Sequence, residues 1–130
     1  MNHDVMKSES ILFKITWILL AIVGVAIFLF GLIVTAWPGS DNPLFLRAIG
    51  VAAMGMGLFG VMITVIPYRR HERWAWFTLW YYPVFWSAHL FGNLPPGQDH
   101  IHQIVFIILS FASLLLSMRT FFAHEMGKRV

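Results

Sequence analysis

The chain of 130 residues contains no cysteine and little charge. Without cysteine, it can form no disulfide, thiolate nucleophile, Cys-ligated zinc site or iron–sulfur cluster. Charged residues make up 12% of the chain, against about 25% in soluble domains, whereas 58% of its residues are hydrophobic. Together with a mean hydropathy of +0.72, this composition is typical of an integral membrane protein.

Long polar segments are also missing, because four apolar runs occupy most of the chain. They cover approximately residues 15–37, 44–67, 74–91 and 101–122, close to the ~20 residues that an α-helix needs to cross a membrane. The first run could alternatively be a signal peptide cleaved after Ala36, but it is longer than signal-peptide apolar regions. We therefore predict a single membrane domain over residues 1–130, an all-α antiparallel bundle of four transmembrane helices.

Lysine and arginine are distributed unevenly over the segments between these runs. If the amino terminus is cytoplasmic, eight of the nine basic residues lie on the cytoplasmic side and Arg47 lies outside. The positive-inside rule then predicts that both termini are cytoplasmic. Because this topology explains the net charge of +3, no nucleic-acid partner is predicted. The basic residues expected to contact anionic lipids of the bilayer are Arg69, Arg70, Arg73 and Arg119. Alternatively, residues 69–73 could bind a cytoplasmic partner or a phosphorylated ligand.

Small residues recur three or four positions apart in the first, second and fourth runs. Such spacing predicts helix faces that pack closely, either within one chain, in a homo-oligomer or against a membrane-protein partner. The serines could instead line a polar path, although packing is the more common role of such residues. The residues predicted to pack are Gly24, Gly31, Gly50, Ala53, Gly57, Gly60, Ser110, Ser113 and Ser117.

The third run is rich in aromatic residues and contains Pro83, where a kink is expected. Thr78, Tyr82, Phe85 and His89 share one face at helical spacing and form a candidate binding site near the outer membrane face. Its ligand would be an apolar small molecule such as a quinone, a sterol-like molecule or a lipid tail. Alternatively, the aromatic rings fill space opposite the glycines of neighbouring helices.

Histidines and aspartates collect at the predicted outer face. Histidine with carboxylate is a suitable ligand set for a divalent metal, and paired histidines such as His89 and His102 can ligate haem. The spacing matches no known metal signature, so no cofactor is predicted and no catalytic residue is assigned. The candidate metal ligands are His89, His100, His102, Asp41 and Asp99.

Three features of the second half of the chain are distinctive. They are the sequence Arg-His-Glu-Arg-Trp-Ala-Trp at residues 70–76, the proline-interrupted aromatic run that follows it, and the ending Leu-Ser-Met-Arg-Thr-Phe-Phe at residues 116–122. These features resemble small uncharacterised four-helix membrane proteins of prokaryotes. The resemblance implies this fold and a multi-pass location in a prokaryotic cytoplasmic membrane, and it brings no activity or site residues.

Three functions remain open from the sequence. The leading one is an accessory or interaction subunit that assembles through its small-residue helix faces. The second is a binding protein for an apolar small molecule or lipid. The third is a metal- or haem-dependent role at the outer histidines; enzyme activity is not favoured.

Overall fold

The computed structural model describes the backbone of residues 2–39, 41–93 and 100–126, and the side chains of residues 11–39, 41–93 and 100–122. Within these ranges the chain is helical and contains no strand. Its elements are α1 (Asn2–Ala36), α2 (Pro43–Ile63) with a π-helical end (Thr64–Tyr68), α3 (Arg73–Leu79), α4 (Tyr81–Phe91) and α5 (Ile101–Met126).

Three helical segments are long and apolar enough to cross a membrane: Ile11–Ala36, Pro43–Tyr68 and Ile101–Phe122. Large apolar side chains cover the outside of these helices, so the protein has apolar residues on its surface as well as in its core. Examples of the exposed residues are Ile22, Ile33, Phe59 and Ile108. An apolar exterior of this extent suits a lipid environment.

The first and last helices of the chain, α1 and α5, are longer than the apolar runs predict. The first run was expected to begin near residue 15 and the last to end near residue 122, whereas α1 begins at Asn2 and α5 ends at Met126. Neither extension contains glycine or proline, so nothing in the backbone stops the helix where the apolar residues stop. Hydropathy indicates a membrane boundary, which is not the same as a helix end.

The third run, predicted as one helix with a kink at Pro83, is interrupted at one residue and divided into two helices. The interruption lies at Trp80, whose N–H donates to the Phe77 carbonyl oxygen at 3.3 Å. Pro83 has no N–H to donate to the Leu79 carbonyl, and its ring clashes with a carbonyl four residues earlier in a continuous helix. The chain therefore starts a new helix at Tyr81, which places Pro83 in a first turn, where no N–H is needed.

Proline also affects the end of α2. The sequence predicts that this helix stops at Pro67, but the chain continues through Pro67 as a π-helical turn. The wider turn accommodates proline without an α-helical bond at that position. Thr64 begins this turn, and its hydroxyl donates to the Gly60 carbonyl at 2.7 Å.

Glycines bring α1 and α2 into close contact. A Cβ atom added to Gly57 would lie 2.6 Å from the Gly24 carbonyl oxygen, and one added to Gly31 would lie 2.5 Å from the Gly50 carbonyl oxygen. The pairs run in opposite order along the two helices, so α1 and α2 are antiparallel. We call this contact of Gly24, Gly31, Gly50 and Gly57 the glycine seam.

Helix α5 packs against α1 and α4, and its serines are buried in that packing. The hydroxyl of Ser110 donates to the Phe106 carbonyl at 2.6 Å, and that of Ser113 donates to the Leu109 carbonyl at 2.7 Å. Ser117 donates to the Leu114 carbonyl at 3.0 Å. These protons are used within α5, which is the geometry of a packing face.

The glycine seam generates a test with a control two residues away. We expect Gly57→Ala to lower the free energy of unfolding by about 1–3 kcal/mol, because the new methyl meets backbone atoms that cannot rotate aside. At Gly55 nothing lies within 4 Å of the Cβ position, so Gly55→Ala should be neutral or slightly stabilising. Unfolding by dodecyl sulfate in mixed micelles measures both variants. Equal effects would contradict the close contact.

Candidate ligand pocket and flanking aromatic clusters

A cavity of about 210 Å³ lies between α2 and the interruption that separates α3 from α4. Its wall is almost wholly apolar. Phe59 and Tyr81 at its rim are more than half exposed, so the cavity opens sideways, towards the apolar surroundings of the helices. The lining residues are Met56, Phe59, Gly60, Ile63, Thr78, Leu79, Tyr81 and Tyr82.

Tyr82 forms the inner wall of this pocket and is 2% exposed. Its ring lies directly over Gly60, where an added Cβ atom would overlap the phenol. A Cβ atom at Gly24 would lie 2.8 Å from the Tyr82 hydroxyl. The side chain of α4 therefore reaches between α1 and α2 into space that two glycines leave open.

The Tyr82 hydroxyl is buried without a hydrogen-bond partner. An unsatisfied buried hydroxyl destabilises a fold by about 1–3 kcal/mol. Most native buried polar groups are paired, so an exception points to a constraint other than stability. Here the exception belongs to a residue that lines a cavity.

The residues on either side of the helix interruption line the same pocket. Thr78 donates its hydroxyl proton to the Trp74 carbonyl at 2.7 Å. The regular helical hydrogen bonding is interrupted at Leu79 and Trp80, where α3 ends. Non-helical backbone at membrane depth occurs where it is buried in protein or lines a cavity.

The pocket contains two of the four residues predicted to share a ligand face. Thr78 and Tyr82 line it, whereas Phe85 and His89 lie one and two turns further along α4. The pocket is also displaced from the predicted position near the outer face. Ile63 and Gly60 are within about 14 Å of residue 69 along α2, so the pocket lies in the half of the molecule near residues 69–73, here called the basic loop. Phe85 and His89 instead contact each other, with ring centroids 4.2 Å apart.

Trp86 is the centre of a second aromatic cluster, at the other end of α4. It is 1% exposed, and its indole N–H is buried without a partner. His102 stacks on Phe30 at 4.6 Å in the same cluster. The rings around Trp86, with centroids 5.3 to 5.9 Å away, are those of Phe30, His89, His102 and Phe106.

The candidate metal ligands are not brought together as a set within the described residues. No group of three or more histidine, aspartate or glutamate side chains suited to a metal occurs there. His89 Nδ1 is 2.9 Å from the Phe85 carbonyl oxygen, and His100 contacts the amide oxygens of Gln103 and Asn93 at 3.0 and 2.9 Å. Asp41 is exposed. Asp99 lies outside the described residues, so a metal role at this face stays a prediction.

A third cluster joins α1, the π-helical turn and α5 at the end that carries the basic loop. Phe13 stacks on His71 at 4.3 Å and on Tyr68 at 5.3 Å. His71 has a positive φ of 62°, which makes the tight turn that returns the chain from α2 to α3. Tyr68 is fully buried, and its hydroxyl donates to Thr16 Oγ1 at 3.1 Å.

The predicted lipid-contacting arginines are all exposed. The Arg69 guanidinium lies 4.4 Å from the centre of the Trp17 ring, and that of Arg73 lies 5.7 Å from the centre of the Phe122 ring. Both guanidinium groups therefore lie over aromatic rings at one end of the helices. Contact with anionic headgroups remains a prediction for these residues and for Arg70 and Arg119.

Sequence reasoning missed the α2 half of the pocket, which consists of Met56, Phe59 and Ile63. The signal that could have revealed it is Gly60, which leaves space opposite the aromatic third run. Comparison with protein-family models, curated proteins and solved structures finds no match to this chain.

Two buried tyrosines provide a matched test of the site. We expect Tyr82→Phe to raise the free energy of unfolding by about 1–3 kcal/mol, because it removes an unsatisfied hydroxyl and keeps the ring. Tyr68→Phe should lower it by about 0.5–1.5 kcal/mol, because it removes the bond to Thr16. Unfolding of the lipid-depleted protein in mixed micelles measures both changes. Destabilisation by Tyr82→Phe would show that the hydroxyl has a partner in the folded protein.

Proposed function

We propose that the chain crosses the membrane four times, with α3 and α4 acting together as one crossing. From Arg73 to Phe91 they span 19 residues, or about 28 Å at 1.5 Å per residue, close to the ~30 Å of hydrocarbon. Eight of nine basic residues then lie on the side of the termini, which the positive-inside rule assigns to the cytoplasm. The location proposed is a prokaryotic cytoplasmic membrane, which follows from the family resemblance.

The absence of native cysteine makes this topology directly testable. We expect Asp41→Cys and Gly92→Cys to react with a membrane-impermeant maleimide in intact cells, since both lie at outer ends of the proposed crossings. Arg70→Cys should react after the membrane is permeabilised and not before. Protection of Gly92→Cys in intact cells would mean that α3 and α4 do not cross the membrane together.

The proposed function is to bind the apolar part of a lipid-like molecule in the pocket between α2 and the α3–α4 interruption. The observation that supports it best is a side-open cavity lined by the ring of Tyr82, whose hydroxyl is buried without a hydrogen-bond partner. An apolar wall with few polar groups is typical of small-molecule sites. Here the opening faces the surroundings in which lipid chains dissolve.

The volume of the pocket limits its occupant. A cavity of about 150 Å³ holds a benzene molecule, so 210 Å³ accommodates a single ring or a terminal part of an acyl chain. The remainder of the molecule would lie in the bilayer. The pocket thus favours an amphiphile that inserts one apolar segment.

The glycine seam bears on the alternative, assembly with other subunits. Gly24, Gly31, Gly50 and Gly57 pack against one another within the chain, so these residues do not present a free face to another subunit. The second candidate, an interaction subunit or homo-oligomer, draws support instead from the opposite side of α2. There Ala48 and Ala52 are exposed, and Gly55 has nothing near its Cβ position.

Two tryptophan substitutions on the same interrupted segment test the pocket. Thr78→Trp introduces bulk at its wall and should weaken ligand binding about tenfold or more, because overpacking costs about 1–3 kcal/mol. Val84→Trp is the control, since Val84 is exposed and lies outside the pocket. Quantitative lipid analysis of protein purified in mild detergent gives the retained amphiphile per chain.

We expect about one retained molecule per chain for the unmodified protein and for Val84→Trp, and a clear loss for Thr78→Trp. Absence of a retained molecule from the unmodified protein would contradict the proposed function. Equal retention by both variants would also contradict it, because the molecule would then be held elsewhere on the apolar surface.

A further inference from the structure

An open groove continues from the pocket to the loop between the π-helical turn and α3. It has a volume of about 340 Å³ and shares Phe59 and Ile63 with the pocket. Its wall is apolar along α2 and becomes polar at the loop. The groove is lined by Phe59, Met62, Ile63, Ile66, Pro67, Glu72 and Trp74.

The groove and pocket together have the depth of one membrane leaflet. From Pro67 to Met56 they follow α2 for eleven residues, which is about 16 Å at 1.5 Å per residue. Half of a hydrocarbon core of ~30 Å is about 15 Å. An acyl chain that starts at the membrane surface beside Pro67 would therefore end near Tyr82 and the helix interruption.

The chemistry at the mouth of the groove selects the headgroup. The loop carries three arginines, but the charged side chain that lines the groove in the described structure is Glu72. Arg69 and Arg73 are directed towards Trp17 and Phe122, which do not line the groove. A negative carboxylate at this mouth attracts a cationic group.

The environment of Glu72 favours a cation that has N–H groups. The Trp74 indole N–H donates to Glu72 Oε2 at 2.5 Å, which fixes the carboxylate and leaves its other oxygen able to accept. A primary ammonium can donate to that oxygen, whereas a quaternary ammonium cannot. Arg70, two residues away along the chain, is exposed and does not line the groove.

We infer that the groove binds a zwitterionic glycerophospholipid with a primary ammonium headgroup, with its ammonium at Glu72 and one acyl chain ending in the Tyr82 pocket. This inference rests on the proposed function, since it assigns the headgroup of the molecule whose tail occupies that pocket. It differs from a general attraction of the basic loop to anionic lipids, which would be weakest in a groove lined by a carboxylate.

Native mass spectrometry of the full chain in mild detergent tests the inference by competition. The probes are phosphatidylethanolamine, phosphatidylcholine and phosphatidylglycerol with identical acyl chains, added in equal amounts. We expect a preference of about three- to fivefold for phosphatidylethanolamine, the size of an exposed charge-assisted contact. Glu72→Gln should reduce this preference to about one. Asp41→Asn, at the other end of α2, is the control and should retain it.

The outcomes distinguish a failure of the headgroup assignment from a failure of the tail pocket. Equal or stronger binding of phosphatidylglycerol to the unmodified protein would overturn the role of Glu72 while leaving the pocket intact. Equal binding of phosphatidylcholine would overturn the requirement for a primary ammonium, and an unchanged preference in Glu72→Gln would place the headgroup elsewhere. If none of the lipids binds, the proposed function itself fails. Thr78→Trp, which alters the tail site, should weaken the binding of all three lipids equally.

Discussion

Close contact between α1 and α2 at four glycines is the constraint on which the rest of the structure depends. It brings backbone against backbone, so that an added Cβ atom at Gly31 or Gly57 would meet the neighbouring helix within 2.6 Å. In a lipid environment such contacts matter because dispersion replaces the hydrophobic drive between helices. Beside this contact, Gly24 and Gly60 leave space for the Tyr82 ring, which links α4 to both helices. The pocket forms on the outer side of that ring.

The second constraint is Pro83, which determines the shape of the opposite wall. Because it cannot donate to the Leu79 carbonyl, the aromatic segment divides at Trp80 and α3 and α4 meet at an irregular junction. The junction leaves a side-open cavity, and the groove along α2 connects it to Glu72 at the loop. Proposed lipid binding follows from these two local features.

Several parts of this structure could be predicted from the sequence, and the failures have physical causes. Helical class and apolar segments follow from composition, because lipid requires backbone bonds to be satisfied within helices. The spacing of Gly50, Ala53 and Gly57 predicts a packing face, but sequence does not say whether its complement lies in the same chain. The division at Trp80 was missed because proline is compatible with both a kink and a new first turn. Phe85 and His89 were grouped with Tyr82 because helical spacing places them on one face. That spacing does not indicate where a cavity ends along the helix axis.

Contacts between lipid and protein protons in nanodiscs, measured by nuclear Overhauser effects, test the central claim most directly. Exposed residues will contact bulk lipid in any case, so the informative protons are those of Tyr82 and Leu79, which are 2% and 3% exposed. The account predicts contacts from acyl methylene and methyl groups to both residues, and none to Trp86, which is 1% exposed and outside the pocket. Contacts restricted to exposed residues, with Tyr82 and Leu79 silent, would contradict it.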